Sequence, residues 1–69
     1  MQTKNLKEGI IEEAFPSLKF KVKLASGEEV LAHLSGKMRL NFIKVLPGDR
    51  VLVEIDSYDA TKGRIVRRL

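Results

Sequence analysis

An all-β domain with a single short helix is predicted by three features of the chain. Apolar and polar residues alternate with period two in five separate segments; turn-forming pairs such as Pro16-Ser17, Ser26-Gly27 and Pro47-Gly48 divide them; one stretch after Ser35 switches to helical spacing. The 69 residues allow one domain and leave no room for a second core. Met1 to Asn5 is expected to be a flexible tail, with residues 6–69 forming the domain.

The first strand is expected over Gly9–Phe15, closed by the turn at Pro16-Ser17. Leu18–Leu24 gives the clearest alternation, with Phe20, Val22 and Leu24 on one face and Lys19, Lys21 and Lys23 on the other. By the same alternation Phe15 and Phe20 both point inward. Ser26-Gly27 supplies a tight hairpin turn into a third strand, Glu29–Leu34. Val30, Ala32 and Leu34 then face the core, and Leu31 and His33 share the lysine face if the hairpin is in register. Ser35 is placed to cap a helical turn with its hydroxyl, and Leu34, Met38, Phe42 and Val45 mark one helical face of about two turns. Pro47-Gly48 suits the centre of a type II turn, because Pro presets φ and Gly accepts a positive one. A fourth strand, Arg50–Ile55, and a fifth, Gly63–Arg68, flank the polar loop Ser57–Lys62.

Five strands with a short helix between the third and fourth form the OB-fold arrangement, a small barrel whose strand 2–3 face and flanking loops bind oligonucleotides. An SH3-like barrel also takes five strands but usually has no helix in that gap, so it ranks second.

Composition narrows the function further. With no Cys, the chain has no disulfides, thiolate metal sites or cysteine nucleophiles. No apolar run approaches the roughly 18 residues of a membrane span, and no signal-peptide core is present at the N-terminus. These features imply a cytoplasmic compartment, or an organelle stroma, and no membrane partner. Thirteen Lys and Arg against nine Asp and Glu give a net charge of +4. Basic residues fall at Lys19–Lys23 and Arg64–Arg68, while acids cluster at Glu12-Glu13, Glu28-Glu29 and Asp56–Asp59. Charge separated in this way is expected to hold phosphates on one side. Catalysis finds no support: Asp56 with Asp59 has no partner base, His33 has no second metal ligand, and Gly36-Lys37 lacks the upstream Gly of a phosphate loop. No cofactor or metal is expected, and the chain reads as a monomer that is not an enzyme.

Several blocks resemble the bacterial-type translation initiation factor one family. They are Lys19-Phe20-Lys21-Val22, Leu31 to Arg39, Asn41 to Val51, and Tyr58 to Ile65. Ser-Gly-Lys-Met-Arg followed by Leu-Pro-Gly-Asp and Lys-Gly-Arg-Ile, at these spacings, is far more specific than any one motif. The similarity runs from about Leu6 to Arg68. It implies an OB-fold protein occupying the aminoacyl-tRNA site of the small ribosomal subunit, in contact with rRNA of the decoding region and a nearby ribosomal protein. It further implies that occupancy excludes tRNA there and, with the other two initiation factors, directs initiator tRNA to the peptidyl site. The chain departs from the family pattern at Leu40, where many members are basic, at Glu28, Lys23 and Arg67, and at Ser57, where Pro is typical.

Lys37 and Arg39, at the strand-to-helix connection, are the leading RNA-binding candidates, Arg as a planar fork and Lys as a mobile point charge. The outward stripe Lys19, Lys21, Lys23 joins them, weighed against a merely solvated strand face, as does His33, which can stack or donate near RNA. Asn41 and Lys44 lie in a resembling block. Tyr58 either stacks on a base or anchors its loop; Phe42 is expected to pack in the core. Lys62, Arg64 and Arg68 form a second basic cluster, read as phosphate-binding through the resemblance. A cold-shock-type RNA chaperone is the alternative function, but such proteins need several exposed aromatics, and this chain has four aromatics in all. An SH3-like interaction module would need an aromatic groove and meets the same objection.

Overall fold

The computed structural model describes residues 5–41 and 43–69. Five strands and one helix follow in the order β1 (Leu6–Phe15), β2 (Lys19–Leu24), β3 (Glu29–Leu34), α1 (Gly36–Leu40), β4 (Arg50–Ile55) and β5 (Lys62–Arg68). The strands close into a barrel in the order β1-β2-β3-β5-β4. All neighbours are antiparallel except β3 and β5. The helix sits where the chain leaves β3, and it provides the connection from β3 to β4. The fold class, a five-stranded OB-fold barrel with one short helix, is as expected.

Alternation explains the core. Phe20, Val22 and Leu24 of β2, Val30, Ala32 and Leu34 of β3, Val51, Val53 and Ile55 of β4, and Ile65 of β5 are all buried inside. Removing this apolar surface from water is the main force closing the barrel. Lys19 pairs with His33 and Lys21 with Leu31 across the β2–β3 hairpin, so the lysine and histidine faces coincide. The hairpin turn is longer than a two-residue loop. Gly27 N–H donates to Leu24 O at 2.8 Å, Leu24 N–H donates to Glu28 O at 2.7 Å, and Gly27 takes φ 96°.

β1 departs from expectation at its start and in its register, while its end at Phe15 is as expected. It starts three residues earlier, because Leu6–Ile10 pair with β4 while Gly9–Phe15 pair with β2. A bulge between Ile11 and Glu13 inserts one residue against β2. A bulge reverses the parity of everything beyond it. Glu13 therefore lies opposite outward-facing Lys21, and Phe15 opposite Lys19, leaving Phe15 38% exposed rather than in the core. Leu18, expected in β2, belongs instead to the turn, where Ser17 and Leu18 both adopt positive φ.

The helix is shorter than the apolar spacing suggests. Ser35 is its N-cap as expected, with the Ser35 hydroxyl accepting from Met38 N–H at 3.3 Å. Leu34 ends β3 rather than beginning the helix, and helical structure stops at Leu40. Ile43 N–H then donates to Met38 O at 3.0 Å, which unwinds the chain out of helical register. Met38 and Val45 are nonetheless both buried. The expected core role of Phe42 lies outside the described residues. Pro47-Gly48 forms its turn as expected: Asp49 N–H donates to Leu46 O at 3.0 Å and Gly48 has φ 94°.

Candidate nucleic-acid interface

Barrel closure brings β5 between β3 and β4, and this placement builds the main surface feature. Across these strands His33 lies opposite Arg64, and Arg64 opposite Glu54. With Lys19 next to His33 on β2, four strands contribute to one outer row. The row lines an open cleft of about 790 Å³, together with Lys62 and the loop between β4 and β5. Gly63 lines it through its backbone, and its side-chain position faces the buried Val53. A Cβ there would lie 2.7 Å from Val53 Cγ1 and 3.0 Å from Glu54 O.

The loop beside the cleft is built by its aspartates. Asp56 Oδ1 accepts from Tyr58 N–H at 2.7 Å. Asp59 Oδ1 accepts from the Thr61 hydroxyl at 2.5 Å and from Thr61 N–H at 3.0 Å. These two donors hold the Asp59 carboxyl below its usual range, the hydroxyl contributing most. The loop closes on the barrel through Lys62 N–H to Asp59 O at 3.0 Å, Asp56 N–H to Lys62 O at 3.0 Å, and Leu31 N–H to Thr61 O at 2.9 Å. Asp56 and Asp59 therefore serve as turn-forming acceptors. The same loop leaves Tyr58 98% exposed. A large aromatic ring held in water on a pinned loop is a ready stacking platform.

Of the residues singled out from sequence, the cleft gathers Lys19, His33, Tyr58, Lys62 and Arg64. Lys37, Arg39, Asn41 and Lys44 lie instead on the helix and the segment after it, all exposed. Arg68 joins this second group rather than Lys62 and Arg64: its Nη1 donates to Lys44 O at 3.1 Å. Lys21 and Lys23 face a more acidic quarter. Lys21 Nζ lies 3.6 Å from Glu29 Oε2, and Lys23 lines a shallow depression with Glu8, Glu12 and Arg50. The neighbouring carboxyls of Glu12 and Glu29 are coupled, so that a proton is favoured on Glu12, whose pKa is raised, and disfavoured on Glu29, whose pKa is lowered, Lys21 adding to the latter.

Charge separation is thus less complete than the sequence implies. Glu54 and Asp56 line the same cleft as the cations, and Arg64 Nη2 forms an ion pair with Glu54 Oε1. Glu54 is the residue that sequence reasoning missed. It alternates unremarkably with the core residues of β4, and its meeting with Arg64 depends on barrel register. Asn5, counted with the tail, lines the cleft as well, and its carbonyl accepts from Ile55 N–H at 2.8 Å. Among the described residues no group of His, Cys, Asp and Glu could hold a metal ion, and no helix is long and apolar enough to cross a membrane.

Residues 1–69 match the family described as translation initiation factor 1A / IF-1. The chain belongs to that family. Its structure is similar to the solution structure of translation initiation factor one from the Wolbachia endosymbiont strain TRS of Brugia malayi. The identity is 46% and the TM-score 0.80, over 99% of this chain and 80% of that one. It is also similar to part of YjeQ from Thermotoga maritima, with 33% identity and a TM-score of 0.76 over 94% of this chain but only 23% of that one. The same barrel therefore also occurs as a small part of a longer protein. As a member of its family the chain is a translation initiation factor, and the family is not an enzymatic one.

Proposed function

We propose that this initiation factor binds the aminoacyl-tRNA site of the small ribosomal subunit through rRNA contacts. Bound there, it excludes tRNA from that site and assists placement of the initiator tRNA, alongside a ribosomal protein near the decoding site and the other two initiation factors. The observation that carries this reading is the cleft, where Lys19, His33, Lys62 and Arg64 from three strands meet beside the exposed ring of Tyr58. Cations supply attraction to phosphate, and the ring supplies stacking on an unpaired base. Lys37 and Arg39 extend the basic surface to the helix without drawing on the core. Phe20 is buried and Phe15 only partly exposed, so a cold-shock-type chaperone would lack its row of stacking rings.

Co-sedimentation with purified small ribosomal subunits tests the proposal. The reversals Lys19→Glu with Lys62→Glu, and separately Lys37→Glu with Arg39→Glu, should each abolish pelleting while circular dichroism stays unchanged. Arg50→Glu with Arg67→Glu, an equal charge change outside the cleft lining, should weaken it far less. Equal loss from all three pairs would reduce the protein to a diffuse basic ligand. If about five phosphates are neutralised, log K should fall against log salt with a slope of roughly −3.5 to −4.5. A flat response would move the contact to protein.

A further inference from the structure

We propose that Glu54 is a specificity-determining residue: by pairing with Arg64 inside the cleft, it makes the face discriminate against RNA that offers charge alone. The inference rests on the RNA-binding reading above and concerns how that surface chooses among RNAs. Arg64 stands between His33 on β3 and Glu54 on β4, on strands held in register by the closed barrel. The Glu54 side chain is 21% exposed and that of Arg64 47%, so the pair lies partly out of water. Glu54 Oε1 engages Nη2, which draws the guanidinium toward β4 and leaves its other N–H groups available to a ligand.

Two consequences follow from elementary electrostatics. A phosphate arriving without the right geometry meets a nearly neutral pair, because the carboxylate offsets the guanidinium at short range. A phosphate that reaches the remaining N–H groups meets a donor already drawn to one side of the cleft, with less side-chain entropy left to lose. Glu54 thereby lowers affinity for arbitrary RNA more than affinity for its shaped target. Lys21 and Glu29 form a comparable pair on the outer surface, but at 3.6 Å with side chains 41% and 49% exposed. Screening and motion make such a pair weak, so Glu29 should exert little of this effect.

The test measures binding of a short single-stranded oligouridylate by fluorescence anisotropy, beside binding of purified small subunits. Glu54→Gln keeps shape and removes charge. It should raise oligouridylate affinity roughly threefold or more at 0.1 M salt and steepen the salt slope by about 0.7. Small-subunit affinity should stay level or fall. Glu29→Gln should leave both nearly unchanged. In an Arg64→Gln background the gain from Glu54→Gln should shrink to that of removing one carboxylate beside Lys19 and Lys62, since no paired guanidinium remains to be released. Glu54→Ala repeats the measurement should the amide find a new partner. Equal gains on both ligands, no gain on oligouridylate, or an undiminished gain without Arg64 would each overturn the proposal. Failure of the wild-type chain to bind small subunits would overturn the functional reading instead, and the oligouridylate arm would still decide the role of Glu54.

Discussion

In the cleft the basic side chains are placed by the strands beside them: Lys19 opposite His33, His33 opposite Arg64, Arg64 opposite Glu54, and Lys62 opposite Leu31. In the connection, Lys37 and Arg39 ride on a five-residue helix whose start is capped by Ser35 and whose buried anchor is Met38. The cleft also carries its own carboxylates, whereas none of the ion pairs found among the described residues involves Lys37 or Arg39. Similar charge thus stands on unlike supports. A ladder-held, partly neutralised surface suits recognition of one geometry. Unpaired cations on a short, locally stabilised element suit attraction and adjustment.

The difference breaks most plainly in the core. Phe20 lies between Lys19 and Lys21 on β2 and is 5% exposed, so Phe20→Ala should cost about 3–5 kcal/mol. Such a loss is a large share of a small domain's stability and should take the cleft with it. Phe15→Ala, at a site on the outer side of the bulge, should cost roughly 1 kcal/mol. Thermal melts compare the two; equal shifts would mean that the parity reversal in β1 is wrong.

Gly63→Ala attacks the cleft without touching the connection. Its Cβ would press on Val53 and on the backbone of Glu54, both within 3.0 Å, and strands in a closed barrel have little room to yield. A loss of about 1–3 kcal/mol is expected, with weakened RNA binding at temperatures where the barrel is still folded. Ser35→Ala attacks the connection alone. Losing the bond to Met38 N–H should cost about 1 kcal/mol and weaken the contribution of Lys37 and Arg39, while Arg64 and Glu54 keep their pairing. Loss of cleft binding in Ser35→Ala would join the two regions into one unit.

What the sequence made legible is what short-range patterning controls. β3 and β4 have the expected bounds, Ser35 caps, and Pro47-Gly48 turns, because each depends on residues a few positions apart. The bulge in β1 is different. Glu12 and Glu13 are both polar, so nothing local marks the extra residue, and alternation carried past it sends Phe15 to the wrong side. The short helix escaped for a related reason, since buried Val45 keeps helical spacing from Met38 without being helical. The cleft was half legible. Its cations could be named from composition and resemblance, but their grouping depends on β5 entering between β3 and β4. That topology separates Arg68 from Arg64 and introduces Glu54.

The smallest expected effect concerns the loop that carries Tyr58. Asp59 is held below its usual pKa by the Thr61 hydroxyl and N–H, so its anionic form is favoured in the folded chain. A depressed carboxyl contributes stability above its unfolded value, about 3.9, and that contribution is lost as pH falls through the folded value. The loss falls on a loop rather than on the barrel, so circular dichroism should hold where the loop loosens. Tyr58 reports it directly, as the chain contains one Tyr and no Trp. Its fluorescence anisotropy should drop as pH falls below about 3.9, and Asp59→Asn should show the lowered value already at pH 7. Thr61→Val removes the hydroxyl donor and keeps the N–H donor, so its anisotropy should begin to fall at higher pH than in the wild-type chain. Identical profiles for the wild-type chain and Thr61→Val would mean that the hydroxyl does not set the Asp59 proton affinity, leaving the support of Tyr58 to the backbone bonds alone.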